Sequence, residues 1–270
     1  PFDNSRTKLQ KGSLITAIDG EKLEAGKDYF PLLNDKVGKR LLVSFRTASG
    51  EQVDEVIRPI SSSALNDLLY KRWVKQRAEE VERVSKGTLG YVHIPSMGDP
   101  SFRTVYSDVM GKYYQKKGIV IDIRYNGGGR LHEDIEAFFT GKHYADQVVR
   151  DRQYSEMSSR RWNRPSVLVT SEADYSNAHG TPWVYQHLKV GKVVGMPVAG
   201  TMTSVNWVTL LDPSVYFGIP AVGFRLFDGR YLENTQMEPD VVVPLDPTKV
   251  LQGIDTQIEK AVEVLRAETK

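Results

Sequence analysis

Residues 118–129 read GIVIDIRYNGGG, and this stretch decides how the rest of the chain is interpreted. Its first six residues are mostly β-branched and apolar, which is typical of a strand buried on both faces of a parallel sheet. The glycines that follow allow a sharp turn and leave backbone N–H groups uncovered. Such N–H groups at a strand end can bind a phosphate or stabilise an oxyanion. A purely structural turn explains the glycines equally well at this point.

Strands and helices alternate on either side of this stretch. Strands are predicted at 88–95, 118–123, 166–170 and 192–195, and helices at 100–117, 131–140 and from about 177 to 190. Such alternation predicts an α/β domain with a parallel sheet and crossover helices. Residues 204–243 then read as strand after strand, and 250–267 read as a closing helix.

The N-terminal part has a different pattern. Strands are predicted at 14–18, 41–46 and 52–57, the last two joined by a hairpin turn, with a short helix within 27–37. Residues 61–87 carry apolar side chains at helical spacing, and Gly87 can end that helix. The predicted organisation is therefore a small β-rich unit at 1–60, a linking helix at 61–87 and an α/β core at 88–270.

Composition excludes several classes of function. The 270 residues include no cysteine, which excludes disulfides, a cysteine nucleophile and a cysteine-based zinc site. The balance of 36 basic against 34 acidic residues gives no support to a nucleic-acid partner. No apolar run approaches the roughly 18 residues of a membrane span. The five histidines show no metal-binding spacing, so we expect neither a metal nor a cofactor.

Ser176 is the first candidate for chemistry. It lies where the strand at 166–170 gives way to a helix, a position that exposes a hydroxyl and favours developing negative charge. Serine is also among the best helix N-caps, so the hydroxyl has an ordinary structural explanation. His179 follows three residues later, and a base so close along one helix seldom has the geometry that a triad needs. We therefore interpret His179 as an ordinary helix histidine.

Glu233 is the second candidate. It follows a hairpin turn at Asp228-Gly229, and a carboxylate at a strand end can orient a catalytic histidine. The alternative is a solvated loop acid. A group of arginines surrounds Trp162 in a long connection, and it is either a solvated surface or part of a substrate groove.

Taken together, these segments resemble the tail-specific and C-terminal processing serine proteases, and within them the tricorn-like branch. The resemblance rests on several stretches in order along the chain: KGSLITAIDG at 11–20, GYVHIPSMG at 90–98, DIRYNGGG at 122–129, the turn GTMT at 200–203 and EPDV at 238–241. It covers nearly the whole chain. Each motif is modest, but their order and spacing are specific.

The resemblance implies a crotonase-like βαβ protease core preceded by an N-terminally incomplete PDZ domain. By the same resemblance Ser176 is the nucleophile, and Asn177 with Gly128 or Gly129 supplies the oxyanion hole. Glu233 orients the catalytic histidine. Bacterial tail-specific enzymes carry a lysine at the position of Thr201, so a serine–lysine dyad is not expected here.

The implied function is peptide hydrolysis through an acyl-enzyme. The catalytic histidine of the tricorn-like branch lies upstream of its PDZ domain, so we expect this chain to be a C-terminal fragment that is inactive or nearly so alone. The alternatives are a non-catalytic peptide-binding scaffold and a hydrolase of non-peptide substrates. Expected partners are peptides or unfolded proteins, and a homo-oligomer stays open. The location is expected to be periplasmic or otherwise exported in a bacterium, with a cytoplasmic location as the alternative.

Overall fold

The computed structural model describes residue 2 and residues 5–269, and it divides the chain into two compact units, one up to Trp73 and one from Val74 onward. In chain order the strands are β1 (Leu14–Ile18), β2 (Glu21–Lys22), β3 (Leu41–Arg46), β4 (Gln52–Ile57), β5 (Leu89–His93), β6 (Gly118–Asp122), β7 (Ala145–Val149), β8 (Arg152–Met157), β9 (Ser166–Thr170), β10 (Lys192–Gly195), β11 (Ser204–Thr209), β12 (Tyr216–Val222) and β13 (Val241–Val242). The α-helices are α1 (Ser62–Ser85), α2 (Asp99–Ser107), α3 (His132–Thr140), α4 (Asn177–His187), α5 (Pro247–Leu251) and α6 (Thr256–Glu268).

The first unit contains an antiparallel sheet with the strand order β2-β1-β3-β4. Alternate side chains of β3 point into a small core, and Leu41, Val43 and Phe45 are buried there with Ile18. The predicted strands and the hairpin between β3 and β4 are confirmed. The helix expected within 27–37 is only a single 3₁₀ turn at Phe30–Leu33.

The second unit is built on a five-stranded, wholly parallel sheet with the order β13-β10-β9-β6-β5. One face of β6 presents Ile119 and Ile121 to a core shared with α2, α3 and α4. The other face presents Val120 to a core formed with α6 and the last part of α1. The sheet is thus covered on both faces, which explains the nearly uninterrupted apolar run at 118–123.

In the second unit, the structure departs from the predicted elements at three places. The helix expected at 100–117 becomes α2 followed by one π turn at Asp108–Lys112. The region 204–243, predicted as strand after strand, contains β11 and β12, which form a separate hairpin, and the two-residue β13, which joins the main sheet. The closing helix is split into α5 and α6 around Gly253, whose φ is +79°.

The carboxyl ends of the parallel strands bring the candidate residues together. The loops after β5, β6, β9 and β10 all leave the same edge of the sheet, because the strands run in one direction. The glycine loop follows β6, and Ser176 follows β9. This edge is therefore where the site lies.

Candidate active site

The glycine loop after β6 is fixed by the buried side chain of Asn126. Its Nδ2 donates to the carbonyl oxygen of Ile94 at 2.8 Å, and its Oδ1 accepts the N–H of Gly128 at 2.8 Å. The Met97 N–H donates to the carbonyl oxygen of Gly128 at 2.9 Å. Gly129 has a φ of +136°, and a Cβ there would lie 2.1 Å from the carbonyl oxygen of Met97. Only glycine therefore fits at position 129.

Ser176 has an unusual backbone for a residue with a side chain. Its φ is +57° and its ψ is −120°, a conformation that stores strain of about 1–3 kcal/mol. Its side chain makes no capping hydrogen bond to α4, so the N-cap explanation left open by the sequence does not hold. A Cβ on Gly128 would lie 2.6 Å from Cβ and 3.1 Å from Oγ of Ser176. The glycine loop therefore lies directly against the hydroxyl.

Two backbone N–H groups beside Ser176 are available to a ligand. Asn177 is the first residue of α4, so its N–H has no acceptor within the helix. The N–H of Gly128 is occupied by Asn126. The N–H of Gly129 donates to no acceptor within the part of the chain that the structure describes. Of the two glycines expected to supply an oxyanion donor, Gly129 is the one whose N–H is unused.

The side chain of Asn177 ties the start of α4 to the start of α3. Its Oδ1 accepts the N–H groups of Leu131 and His132 at 2.9 and 3.2 Å. Its Nδ2 donates to Nδ1 of His132 at 2.7 Å, so the neutral His132 ring carries its proton on Nε2. The Asn177 backbone is thereby held in place by a second helix.

Glu233 is held by the turn after β10. Its Oε2 accepts the N–H of Thr203 at 2.6 Å, and the N–H of Asn234 donates to the carbonyl oxygen of Gly200 at 3.0 Å. Desolvation opposes ionisation of the carboxyl, but hydrogen bonds from Thr203 outweigh it and lower the pKa of Glu233. The side chain is thus an anchored carboxylate at neutral pH, unlike a freely solvated loop acid.

His179 is fully buried, in agreement with its interpretation as an ordinary helix histidine. Its Nε2 donates to the carbonyl oxygen of Thr235 at 2.9 Å, and burial lowers the pKa of the ring. Three other histidines also have polar or ring partners: His93 with the carbonyl oxygen of Arg124, His143 with Asp146, and His187 stacked on Trp183.

A buried carboxyl, Asp174, lies two residues before Ser176. It accepts the N–H and the hydroxyl of Ser171 at 2.9 and 3.0 Å, and its Oδ1 lies 3.4 Å from the N–H of Asn126. Burial outweighs these hydrogen bonds and raises the pKa of Asp174 to about 7. The N–H of Tyr175 also donates to the carbonyl oxygen of Asn126 at 2.9 Å. The Ser176 loop and the glycine loop are therefore joined directly.

A buried charge network lies where β6 enters the glycine loop. Arg124 donates to Asp122 at 2.6 Å and to Asp255 at 2.9 Å. Gln257 accepts a further bond from Arg124 at 2.9 Å, and the Tyr91 hydroxyl donates to Asp122 at 2.8 Å. Burial alone would lower the pKa of Arg124, but attraction to both carboxylates raises it. The arginine is therefore a fully paired internal cation.

Other kinds of site find no support at this edge. Among residues 2 and 5–269, no group of three or more acidic or histidine side chains is placed to hold a metal ion. In the same residues, no helix has the length and apolarity to cross a membrane. The groups that the site does offer are a hydroxyl, a carboxylate and backbone N–H donors.

Residues 88–243 match the protein family described as peptidase family S41. This segment is more than half of the chain, and it contains Ser176, Asn177, the glycine loop and Glu233. The chain belongs to peptidase family S41. The resemblance of the sequence to the tricorn-like peptidases is confirmed by its relatives within this family.

Two curated relatives of this chain are a tricorn protease and a tricorn protease homolog. The tricorn protease of Thermoplasma acidophilum is 27% identical over 261 residues, covering 96% of this chain and 24% of the relative. The tricorn protease homolog of Saccharolobus solfataricus is 26% identical over 269 residues, covering 98% of this chain and 24% of the relative. The chain thus spans about a quarter of the length of these relatives.

The solved structures agree on the fold. The crystal structure of the tricorn protease matches 96% of this chain and 25% of its own with a TM-score of 0.77 and 26% identity. Mature CPAF matches 99% of this chain and 79% of its own with a TM-score of 0.50, and its 11% identity indicates a common fold only. The α/β protease fold is therefore shown, while the crotonase-like and PDZ descriptions stay predictions.

The structure brings Ser176, Asn177, Gly128 and Gly129 into one cluster, and the turn at 200–203 holds Glu233 through the N–H of Thr203. Sequence reasoning missed the residues that hold this cluster in place. In the sequence, Thr201 stands out only because related enzymes carry a lysine at its position, and Asp174 does not stand out. Their partners lie 25 and 48 residues away in the chain, and no local pattern indicates such contacts.

Proposed function

We propose that this chain carries the nucleophile, the acid and the oxyanion-binding groups of a serine peptidase that works through an acyl-enzyme. The proposal rests on the conformation of Ser176. Its hydroxyl does not cap α4, its backbone is strained, and it packs against the glycine loop. A serine that only began a helix would cap it and would need no strain. Membership of peptidase family S41 supports the reaction class.

The proposed reaction begins when Oγ of Ser176 attacks the carbonyl carbon of the peptide bond. The new C–O bond forms as the carbonyl π electrons move onto the oxygen, and a base takes the hydroxyl proton. The N–H groups of Asn177 and Gly129 donate to the oxyanion, and the N-terminus of α4 adds its favourable dipole. The C–N bond then breaks, the amine takes the proton from the base, and water later hydrolyses the acyl-serine.

We infer that the base is a histidine outside these 270 residues, oriented by Glu233. His93, His132, His143 and His179 bond to Arg124, Asn177, Asp146 and Thr235, respectively, and not to Glu233 or Ser176. The curated relatives extend well beyond the matched segment. A serine site that lacks its base keeps roughly 10³–10⁴-fold catalysis over water, so the chain alone would hydrolyse peptides slowly. Robust turnover by the 270-residue chain would contradict this inference.

The proposed substrates are peptides or unfolded proteins. The relatives named above are proteases, which supports a peptide substrate, and no group of acidic or histidine side chains among the described residues is placed to hold a metal ion. A homo-oligomer stays part of the proposal, as does the absence of a cofactor.

The nucleophile is tested with a fluorophosphonate probe and a peptide substrate on the complete protein. Ser176→Ala should abolish labelling and lower kcat by several orders of magnitude, because the attacking oxygen is gone. Ser214→Ala is the matched control, since Ser214 is an exposed serine in the turn between β11 and β12. Labelling that survives in Ser176→Ala would contradict the nucleophile, and no labelling of wild type would indicate a non-catalytic scaffold.

The acid is tested in the same assay with Glu233→Gln. The amide keeps the shape but also donates, so it stabilises the wrong tautomer of the histidine, and kcat should fall by roughly 10²–10⁴. Glu238→Gln is the control, because Glu238 is an exposed acid in the next segment. Equal turnover of both variants would exclude Glu233 as the triad acid.

A further inference from the structure

One short turn bonds to both proposed catalytic residues. The turn at 200–203 follows β10, and Oγ1 of Thr201 accepts the backbone N–H of Ser176 at 3.0 Å. Two residues later, the N–H of Thr203 donates to Oε2 of Glu233 at 2.6 Å. The nucleophile and the acid lie 57 positions apart in the sequence, and this turn gives them a common support.

The Thr201 hydroxyl both accepts and donates a hydrogen bond. It accepts from Ser176, and it donates its own proton to the carbonyl oxygen of Ala199 at 3.3 Å. Because the proton points to Ala199, a lone pair is left facing Ser176. Valine has the same shape as threonine but can make neither bond, whereas serine can make both.

The bonded N–H belongs to the residue whose backbone is strained. A residue with a side chain keeps a positive φ only where its surroundings determine the conformation. For Ser176 these surroundings are the glycine loop, against which its Cβ packs, and the acceptor on Thr201. Loss of the acceptor leaves a partly buried N–H unsatisfied and lets the backbone relax toward an ordinary conformation. The direction of Oγ would change with it.

The turn itself is tightly packed. A Cβ on Gly200 would lie 2.3 Å from the backbone nitrogen of Thr235, so the turn lies in direct contact with the segment that carries Glu233. The N–H of Asn234 also donates to the carbonyl oxygen of Gly200 at 3.0 Å. These contacts give Thr201 a fixed position from which to hold Ser176.

We propose that Thr201 is a positioning residue for the reaction, which holds the Ser176 backbone in the conformation that aims Oγ at the substrate. Its hydroxyl bonds to the Ser176 backbone N–H and not to Oγ, the atom that reacts. The proposal rests on the proposed function, because it presupposes Ser176 as the nucleophile. It assigns a direct role to the side chain at position 201.

The test compares Thr201→Val, Thr201→Ser and Thr209→Val in the complete protein, the last being the same change at an exposed threonine of β11. We expect Thr201→Val to lower kcat roughly 10- to 100-fold with KM changed less than about twofold. The kcat of Thr201→Ser should stay within about threefold of wild type. The kcat of Thr209→Val should equal that of wild type. Melting temperatures confirm that each variant is folded.

A second measurement does not depend on catalysis. Hydrogen exchange of the Ser176 amide, followed by NMR on the 270-residue chain, should accelerate at least about tenfold in Thr201→Val and not in Thr201→Ser. A Ser176 amide that exchanges without protection in wild type would overturn the proposal. So would a Thr201→Ser variant whose kcat falls as far as that of Thr201→Val.

Measuring Ser176→Ala in the same assay distinguishes failure of the proposed function from failure of the role of Thr201. If Ser176→Ala hydrolyses peptides like wild type, the proposed function fails and this proposal fails with it. If Ser176→Ala is inactive while Thr201→Val turns over fully, only the role of Thr201 is overturned.

Discussion

Asp174 binds its proton more tightly in the folded chain than in the unfolded chain, because burial raises its pKa to about 7. The unfolded carboxyl titrates near pH 4. Between these two values the folded state holds a proton that the unfolded state has released, so the free energy of unfolding falls as pH rises. The stabilising contribution is complete below about pH 4 and is lost above about pH 7.

Asp174→Asn should remove this dependence, since an amide does not titrate. We expect the free energy of unfolding of wild type to fall by roughly 2.5 kcal/mol from this group between about pH 5 and pH 8, and the variant to lack that part of the fall. Urea denaturation at the two pH values measures it. Asp212→Asn is the control, because Asp212 is exposed and its pKa is lowered by hydrogen bonds from Ser214. An identical fall in wild type and Asp174→Asn would contradict the role of burial.

At this same scale, local sequence patterns indicated the residues that we propose for the chemistry more readily than the residues that hold them in place. Ser176 and Gly129 stand in recognisable local patterns, a strand-to-helix junction and a glycine run. Asn126 and Thr201 act through contacts with distant segments. The choice between Gly128 and Gly129 as N–H donor likewise depended on the Asn126 side chain, whose direction the sequence does not give.

At the scale of elements, Asp255 performs two tasks at the start of α6. Its carboxylate accepts the N–H groups of Gln257 and Ile258, both at 3.1 Å, and so caps the helix. It also pairs with the buried Arg124 at 2.9 Å. Removing it would therefore leave a helix uncapped and a buried cation with only part of its charge balanced.

Asp255→Ala should lower the free energy of unfolding by about 3–5 kcal/mol, because the buried pair is broken from one side. Asp246→Ala is the matched control: Asp246 caps α5 by accepting from Thr248 and Lys249, and it is only half-buried. Its loss should cost only about 1 kcal/mol. Equal losses in urea denaturation would show that Asp255 acts as a cap alone.

The sequence predicts elements whose apolar side chains recur in a regular pattern, and it does not predict elements made mostly of polar residues. The strand β6 is evident from its buried run. The hairpin of β7 and β8 was not predicted, because its strands are mostly polar and exposed and show no alternation. The split between α5 and α6 depends on a left-handed glycine, Gly253, inside a region of helical periodicity.

At the scale of the whole molecule, the order of elements was enough to predict the α/β class, because a parallel sheet is the usual outcome of alternating strands and helices. The position of β13 at the sheet edge next to β10 could not be predicted, since this pairing joins segments that are distant in sequence. The PDZ description of the first unit, the oligomeric state and the location stay predictions.

A chain that ends at residue 254 should leave the second unit unfolded. It lacks Asp255 and the apolar face of α6, which buries Ile258, Ala261, Val262 and Leu265 against the sheet. Circular dichroism and limited proteolysis of this truncated chain provide the measurement. A protease-resistant core in residues 74–254 would contradict the expectation.

The pairing of Arg124 with Asp255 also has a consequence for biosynthesis. The two residues are 131 positions apart, and a ribosome adds about 5–20 residues each second. Roughly 7–25 s therefore pass between the synthesis of Arg124 and the synthesis of Asp255 at the start of α6. During that interval the face of β5 and β6 that packs against α6, and that of β9 once it is made, stays only partly covered. The growing chain, rather than the finished protein, is thus the form most exposed to aggregation and most in need of a chaperone.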